Sequence, residues 1–256
     1  MSELDLASCR CVAQWLSAAD CAVAFTGAGI STESGIPDFR SPGGIWAKYQ
    51  PVCYQEFIAS AQARHEYWRQ KCEAHREFAD ARPNSGHRVL ANWEQAGLLR
   101  GVITQNIDGL HQQARSRRVL ELHGTARSVV CLGCKAEFTP EPLIEEFLAT
   151  DAVPSCRHCG GMLKTATISF GQALPEDVLA EGMDWCQQAD LVLAIGSSLV
   201  VQPAASLPRM ARQCGARLVI INRDPTDQDN EADAVLRSPI GETLEAIERC
   251  RTELSA

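Results

Sequence analysis

Two stretches and four cysteines hold the residues that could do chemistry. The first stretch is Gly27-Ala28-Gly29-Ile30-Ser31-Thr32-Glu33-Ser34-Gly35-Ile36-Pro37-Asp38-Phe39-Arg40. It follows the apolar run Cys21–Thr26, which has the length and composition of a buried strand. Gly27 and Gly29 lack a Cβ, so the backbone there can turn tightly and bring its N–H groups against a pyrophosphate. The spacing is not the dehydrogenase fingerprint, which needs a glycine where this chain has Thr32. The second stretch, Gln105-Asn106-Ile107-Asp108-Gly109-Leu110-His111, follows a strand-like Gly101–Thr104. A third short strand, Val119–Leu122, ends at His123-Gly124. From periodicity alone His123 reads as a core histidine satisfied by backbone, and its place at a strand end beside Gly124 is what makes it a candidate base; His111 reads as structural.

The cysteines fall as Cys131-Leu132-Gly133-Cys134, then, after twenty-one residues, Cys156-Arg157-His158-Cys159. Each pair can chelate from one knuckle, and four thiolates close a tetrahedral zinc shell with no position left for water. One structural Zn2+ is expected, with His158 a bystander. The other eight cysteines (Cys9, Cys11, Cys21, Cys53, Cys72, Cys186, Cys214, Cys250) are scattered and read as small buried or half-buried hydrophobes. Neither a signal peptide nor an apolar run long enough for a bilayer is visible. A cytoplasmic protein with reduced thiols is therefore expected.

Positioning these residues requires alternating strands and helices. The 256 residues allow one large core, or one core plus a small module. A net charge of −8, with one short basic cluster at Arg115–Arg118, argues against a nucleic-acid surface. Helical patterns cover residues 4–19, 54–80, 88–95 (with Asn84 or Ser85 as N-cap), 175–187, 203–214 and 241–251. Strand Leu191–Ile195 ends in Gly196-Ser197-Ser198-Leu199, and strand Arg217–Ile221 in Asn222-Arg223-Asp224. This alternation gives an α/β fold, a doubly wound parallel sheet of Rossmann-like type, in which ligands collect beyond the carboxyl ends of the strands. The expected division assigns 1–40, 81–125 and 165–256 to the sheet domain, 41–80 to a loop and helical insertion, and 126–164 to a small zinc-ribbon module. The loop Ser41–Trp46 is expected to order over ligand, with Phe39 and Trp46 as apolar grips.

GAGISTESGIPDFR, Thr104–His111, His123-Gly124, the four cysteines, Gly196–Leu199 and Asn222 resemble the sirtuins, NAD-dependent protein deacylases, over nearly the whole chain. The resemblance implies that NAD contacts Gly27, Ala28, Gly29, Ile30, Asp38, Phe39, Arg40, Trp46, Gln105, Asn106, Ile107, Asp108, Gly196, Ser197, Ser198, Asn222, Arg223, Asp224 and Ile240. Within that set the glycine loop and Ser197 would hold the pyrophosphate, Asn222 the adenosine ribose, and Ile240 would lie near the adenine. Asn106 and Asp108 would line the nicotinamide pocket and His123 would be the catalytic base. The implied partner is an acyl-lysine protein, with no nucleic acid or membrane; the implied products are free lysine, nicotinamide and an O-acyl-ADP-ribose.

That chemistry suits the residue types: a carboxylate can fix the carboxamide, and a neutral imidazole with a pKa near 6.5 can take a proton from a ribose hydroxyl. Tyr67-Trp68-Arg69 and Pro83–His87 look closer to the class II sirtuins, which leaves mono-ADP-ribosyl transfer and lipoamidase-type removal of long acyl groups open on the same scaffold. A packed helix face is the other reading of Tyr67 and Trp68. Family members that remove succinyl groups carry Tyr-x-x-Arg; here Glu66 stands three before Arg69, and an acid there is expected to repel an acidic acyl group. The run Lys164–Gly171 departs from the Lys-Pro-Asp-Val-Val of many relatives, in a segment that pairs with substrate. Outside the family, a hydride-transferring dehydrogenase and a catalytically silent zinc-ribbon adaptor are the competing classes.

Overall fold

The computed structural model describes residues 5–38, 44 and 50–254, with side chains at 76–79 excepted. Phe39, Arg40 and Trp46, expected at the dinucleotide, lie outside the described residues.

Six parallel strands form the main sheet, in the order β3-β2-β1-β7-β8-β9. They are β1 (Ala22–Thr26), β2 (Val102–Thr104), β3 (Val119–Glu121), β7 (Leu191–Ile195), β8 (Arg217–Ile221) and β9 (Ala234–Leu236). Continuous apolar runs at β1, β7 and β8 are what a parallel sheet requires, because helices cover both of its faces. On one face Ala22, Ala24, Leu191, Leu193, Ile195, Val219 and Ile221 pack against α1 (Leu6–Ala18), α4 (Ser85–Gln95) and α9 (Ile240–Leu254). On the other, Val23, Phe25, Val192, Ala194, Leu218 and Ile220 meet α7 (Glu176–Gln188) and α8 (Ser206–Gln213). The alternation of neighbouring residues between the two clusters is the period of two of a strand.

The helix expected at 88–95 begins three residues earlier. Asn84 Oδ1 accepts from His87 N at 3.3 Å, and that cap fixes the start at Ser85. Strand β9 was not expected from the sequence; Asn222 N donates to Leu236 O at its end.

The second sheet is antiparallel, β5-β4-β6, made of β4 (Gly124–Cys131), β5 (Glu137–Phe138) and β6 (Leu163–Thr167). It runs past both ends of the expected 126–164 span, because Gly124 and Thr167 still pair. Against it pack α2 (Tyr54–Ala59), α3 (Ala61–Ala79) and α6 (Pro140–Thr150). Phe57, Trp68, Cys72, Val129, Leu143, Ile144, Phe147 and Leu163 share one apolar cluster, so the helical insertion and the cysteine-bearing sheet form one unit rather than two. Trp68 belongs to that packing, its Nε1 donating to Leu163 O at 3.1 Å. Cys11 and Cys214 are exposed, against the expectation of burial or half-burial: Cys11 lies on the outer face of α1 and Cys214 in the turn after α8. Among the described residues no helix is long and apolar enough to cross a membrane.

Candidate active site

The carboxyl ends of the strands open onto one cleft of about 1370 Å3. The loops after β1, β2, β7 and β8 and the turn after β3 all reach it. Of the residues expected at NAD, Gly27, Ala28, Gly29, Asp38, Gln105, Asn106, Ile107, Asp108, Gly196, Ser197, Ser198, Asn222, Arg223, Asp224 and Ile240 line this cleft, as does His123. Ile30 does not: its side chain is fully buried in the core beneath the loop.

Two amides of the glycine loop are already bonded within the protein. Gly27 N donates to Ile195 O at 3.0 Å and Gly29 N to Gly196 O at 2.8 Å, so these amides are spent on the end of β7. A Cβ on Gly27 would meet Gly196 O at 2.7 Å, and one on Gly29 would meet Gly196 Cα at 2.7 Å. These glycines let two strand-end loops touch backbone to backbone. A hydroxyl faces the same cleft: Ser197 Oγ accepts from Gln105 Nε2 (2.7 Å) and Leu199 N (3.2 Å). With both contacts made as acceptor, the hydroxyl proton of Ser197 is left for the cleft.

Past β2 the site becomes a closed hydrogen-bond network. Asp108 is 5% exposed; its Oδ2 accepts from Ser31 Oγ at 2.7 Å and its Oδ1 from Leu110 N at 2.9 Å. Asn106 Nδ2 donates to Gly27 O at 3.1 Å and Ser31 Oγ at 3.2 Å. Ser31 was not singled out from the sequence, although it lies inside the glycine motif; it ties Asp108 and Asn106 to the first loop. Beneath them His111 bonds Thr26 Oγ1 at 2.9 Å in full burial, a structural role.

His123 Nδ1 lies 2.9 Å from Gln105 O. A carbonyl can only accept, so Nδ1 carries the proton and Nε2 is the basic atom. Burial lowers the pKa of His123 below 6.5, partly opposed by the Gln105 carbonyl. The ring is therefore neutral at pH 7.

Cys131, Cys134, Cys156 and Cys159 place their sulfurs within 4.8 Å of one another, with Cys131–Cys159 at 3.5 Å and Cys134–Cys156 at 3.6 Å. Four thiolates at 2.3 Å from a tetrahedral zinc stand about 3.8 Å apart, so this cluster fits the ion closely. Gly161 makes room for it, since a Cβ there would meet two of the sulfurs at 3.1 Å.

The other end of the cleft was only partly legible. Tyr67, Gln70, Lys71 and Ala74 line it from α3, and Thr165 and Thr167 from β6. Their spacing in α3 is that of one helical face, a signal the sequence contains. Glu66 is not itself in the cleft lining; it pairs with Arg69 at 2.6 Å and accepts from the cleft-lining Gln70 Nε2 at 2.7 Å.

A family model described as Sir2 family matches residues 27–203. An "NAD-dependent protein deacetylase" of Rhodopseudomonas palustris is 51% identical over 224 residues, covering 87% of this chain and 88% of the relative. A solved complex described as Sir2, p53 peptide and NAD+ superposes with a TM-score of 0.84 at 36% identity, over 94% of this chain and 96% of that one. A second, of a Sir2 variant with deacetylated p53 peptide and 3'-O-acetyl ADP ribose, has a TM-score of 0.87 at 38% identity, over 93% and 96%. On the family match over residues 27–203 and the 51% identity to that relative, the chain belongs to the Sir2 family.

Proposed function

We infer that the cleft carries out NAD-dependent deacylation of protein lysine side chains, passing the acyl group to ADP-ribose. The observation that carries the reading is the convergence of His123, Asn106, Asp108 and Ser197 on one cleft, with His123 held in its neutral, Nε2-basic form. The relatives named as NAD-dependent protein deacetylases and the solved Sir2 complexes with peptide and acetyl-ADP-ribose support it.

The donor set fits the dinucleotide. Ser197 offers its hydroxyl proton to a phosphate, and Asn222, Arg223 and Asp224 form the opposite end, with Arg237 holding Asn222 O (2.9 Å) and Asp224 O (2.7 Å). NAD supplies an anomeric carbon from which nicotinamide departs. Asp108 is fixed by Ser31 and Leu110, so its remaining lone pairs have a set direction in which to accept a carboxamide N–H. Asn106, with its amide nitrogen committed to Gly27 and Ser31, presents its oxygen. His123 Nε2 accepts a proton from a ribose hydroxyl, and the Gln105 carbonyl stabilises the imidazolium that results. Zinc would sit in the four-cysteine shell, which has no open position; its contribution is to the fold.

The test is mass spectrometry of NAD incubated with acyl-lysine peptides, in wild type and in His123→Ala. The variant should keep NAD binding and lose acyl transfer by about 10²–10⁴-fold; unchanged turnover would remove His123 from the mechanism. Because burial lowers the pKa, the wild-type rate should rise from acid through a value below 6.5 and be level at pH 7. A reducing, cytoplasmic setting, in which cysteines stay as thiols or zinc ligands, is part of this reading.

A further inference from the structure

The segment that carries Asp108 is held from two sides. From the main sheet, Ser31 Oγ donates to Asp108 Oδ2. From the other side comes the start of β4, the strand that ends at Cys131. Ala126 N donates to Ile107 O at 2.9 Å, and Arg127 Nε donates to Asp108 O at 2.8 Å. Two consecutive carbonyls of the loop after β2 are thus bound by two consecutive residues of the small sheet, and all four residues line the cleft.

Arg127 reaches the Asp108 carbonyl because the next residue is Gly109. Gly109 has φ +70, and a Cβ there would meet Arg127 Nε at 2.8 Å and Arg127 Cγ and Cδ at 3.3 Å. The arginine stem therefore lies across bare backbone, and its fork continues to the short helix α5 (Leu110–Gln113). Gln113, its amide oxygen turned to the guanidinium, accepts from Arg127 Nη1 at 3.2 Å and from Nη2. One planar group thereby holds the Asp108 carbonyl and the helix that follows it, a geometry that the single ammonium of a lysine does not reproduce. These contacts are to neutral oxygens, so the arginine works as a clamp on geometry.

Resting on the deacylase reading, we propose that Arg127 is a positioning residue for nicotinamide departure: by fixing the Asp108–Gly109 peptide plane from the small sheet, it sets the direction in which the Asp108 carboxylate receives the carboxamide. The glycosidic bond of NAD breaks, its electron pair leaves with nicotinamide, and the acyl oxygen takes its place at the anomeric carbon; Arg127 acts on this step through Asp108. A carboxylate turned off its axis still accepts a hydrogen bond, but it no longer holds the carboxamide at the angle from which the bond breaks. The loss therefore falls on turnover and on nicotinamide affinity, while the phosphates and adenosine bind as before. His123 and Arg127 lie four residues apart around the start of β4, so one strand, ending at a zinc ligand, orients both the base and the carboxylate.

The experiment takes the zinc-loaded full chain with an acetyl-lysine peptide and compares wild type, Arg127→Met and Arg127→Lys. Arg127 is exposed, so replacing it leaves no cavity in either core. The quantities read are kcat for nicotinamide release, the inhibition constant of added nicotinamide, KM for the peptide, and Kd for ADP-ribose, which carries no carboxamide. Arg127→Met should lower kcat and raise the nicotinamide inhibition constant by about tenfold each, with ADP-ribose Kd and peptide KM within about twofold of wild type. Arg127→Lys, which keeps the charge and loses the fork, should stay closer to Arg127→Met than to wild type. Unchanged kcat and inhibition constant in Arg127→Met overturn the proposal. So does an equal weakening of ADP-ribose and nicotinamide, which would make the arginine a support of the whole cleft, and so does full recovery in Arg127→Lys, which would make charge the cause. Each of these outcomes leaves the deacylase reading standing; a wild type that leaves NAD intact with every acyl peptide sinks that reading, and the role of Arg127 with it.

Discussion

Every residue of β1 and β7 is buried, whereas β4 buries only Val129 and Cys131 of its eight. The main sheet is held by apolar side chains on both faces. The small sheet has one apolar seam, shared with α3 and α6, and beyond it four sulfurs that repel or cross-link unless a cation gathers them. The contrast matters because the site is divided between them. Asn106 and Asp108 stand on the end of the main sheet, while His123 sits at the junction, with Gly124 opening the strand that ends at the metal-binding Cys131. Ground-state binding of the dinucleotide thus depends on one kind of physics, and the base together with the acyl pocket depends on the other.

Removing the metal separates the two most sharply. Structural zinc contributes on the order of 10 kcal/mol in small cysteine sites. Stripping it with a chelator, or replacing Cys156 with Ser, should release hydrogen-exchange protection across 124–167 while β1, β7 and β8 stay protected. Acyl transfer should be abolished and NAD binding retained. Uniform loss of protection in both sheets would show that they form one cooperative unit and would break the comparison.

The reverse experiment acts on the large sheet. Gly196 has φ +63, and a Cβ there would meet Ile30 N at 2.4 Å and Gly29 C at 2.8 Å, all backbone with little freedom to move. Gly196→Ala should cost about 3 kcal/mol or more and raise KM for NAD as the two loops are forced apart. Exchange in 124–167 should be unaltered. A normal KM with lowered stability would mean that loop contact supports the fold without shaping the site.

Much of the large sheet is legible in the sequence because its signals are local. Leu191–Ile195 and Arg217–Ile221 are apolar runs bounded by turns, and they coincide with β7 and β8 to the residue. The four cysteines declare their cluster by spacing alone. What sequence could not supply is contact across the chain. The Gly27 and Gly29 amides look like anion donors until β7 is seen to occupy them, and Ile30 looks like part of the loop until the core below it is seen. Sequence shows Glu66 three residues before Arg69, whereas only the fold shows that it pairs with that arginine and accepts from Gln70, while Tyr67, Gln70 and Lys71 line the cleft. Strand β9, three residues long at a sheet edge, is too short for a periodic signal.

The smallest effect concerns the polar tether on a loop of the large sheet whose Ile30 is already buried in the core. Asn84 caps α4 through Oδ1, and the same side chain sends Nδ2 to Ile30 O at 2.7 Å and Ser34 Oγ at 3.0 Å. One amide therefore performs two tasks, a helix start and a tether on the glycine motif. Asn84→Ala loses both and should cost about 1 kcal/mol in thermal unfolding, with KM for NAD raised. Asn84→Asp keeps the capping oxygen but turns a second oxygen toward the Ile30 carbonyl, which can only accept. Stability should then recover much of the cap while KM stays raised or rises further. If melting temperature and KM instead move in proportion through both variants, the tether has no effect apart from the cap, and the loop is positioned by its contact with β7 and by the buried Ile30.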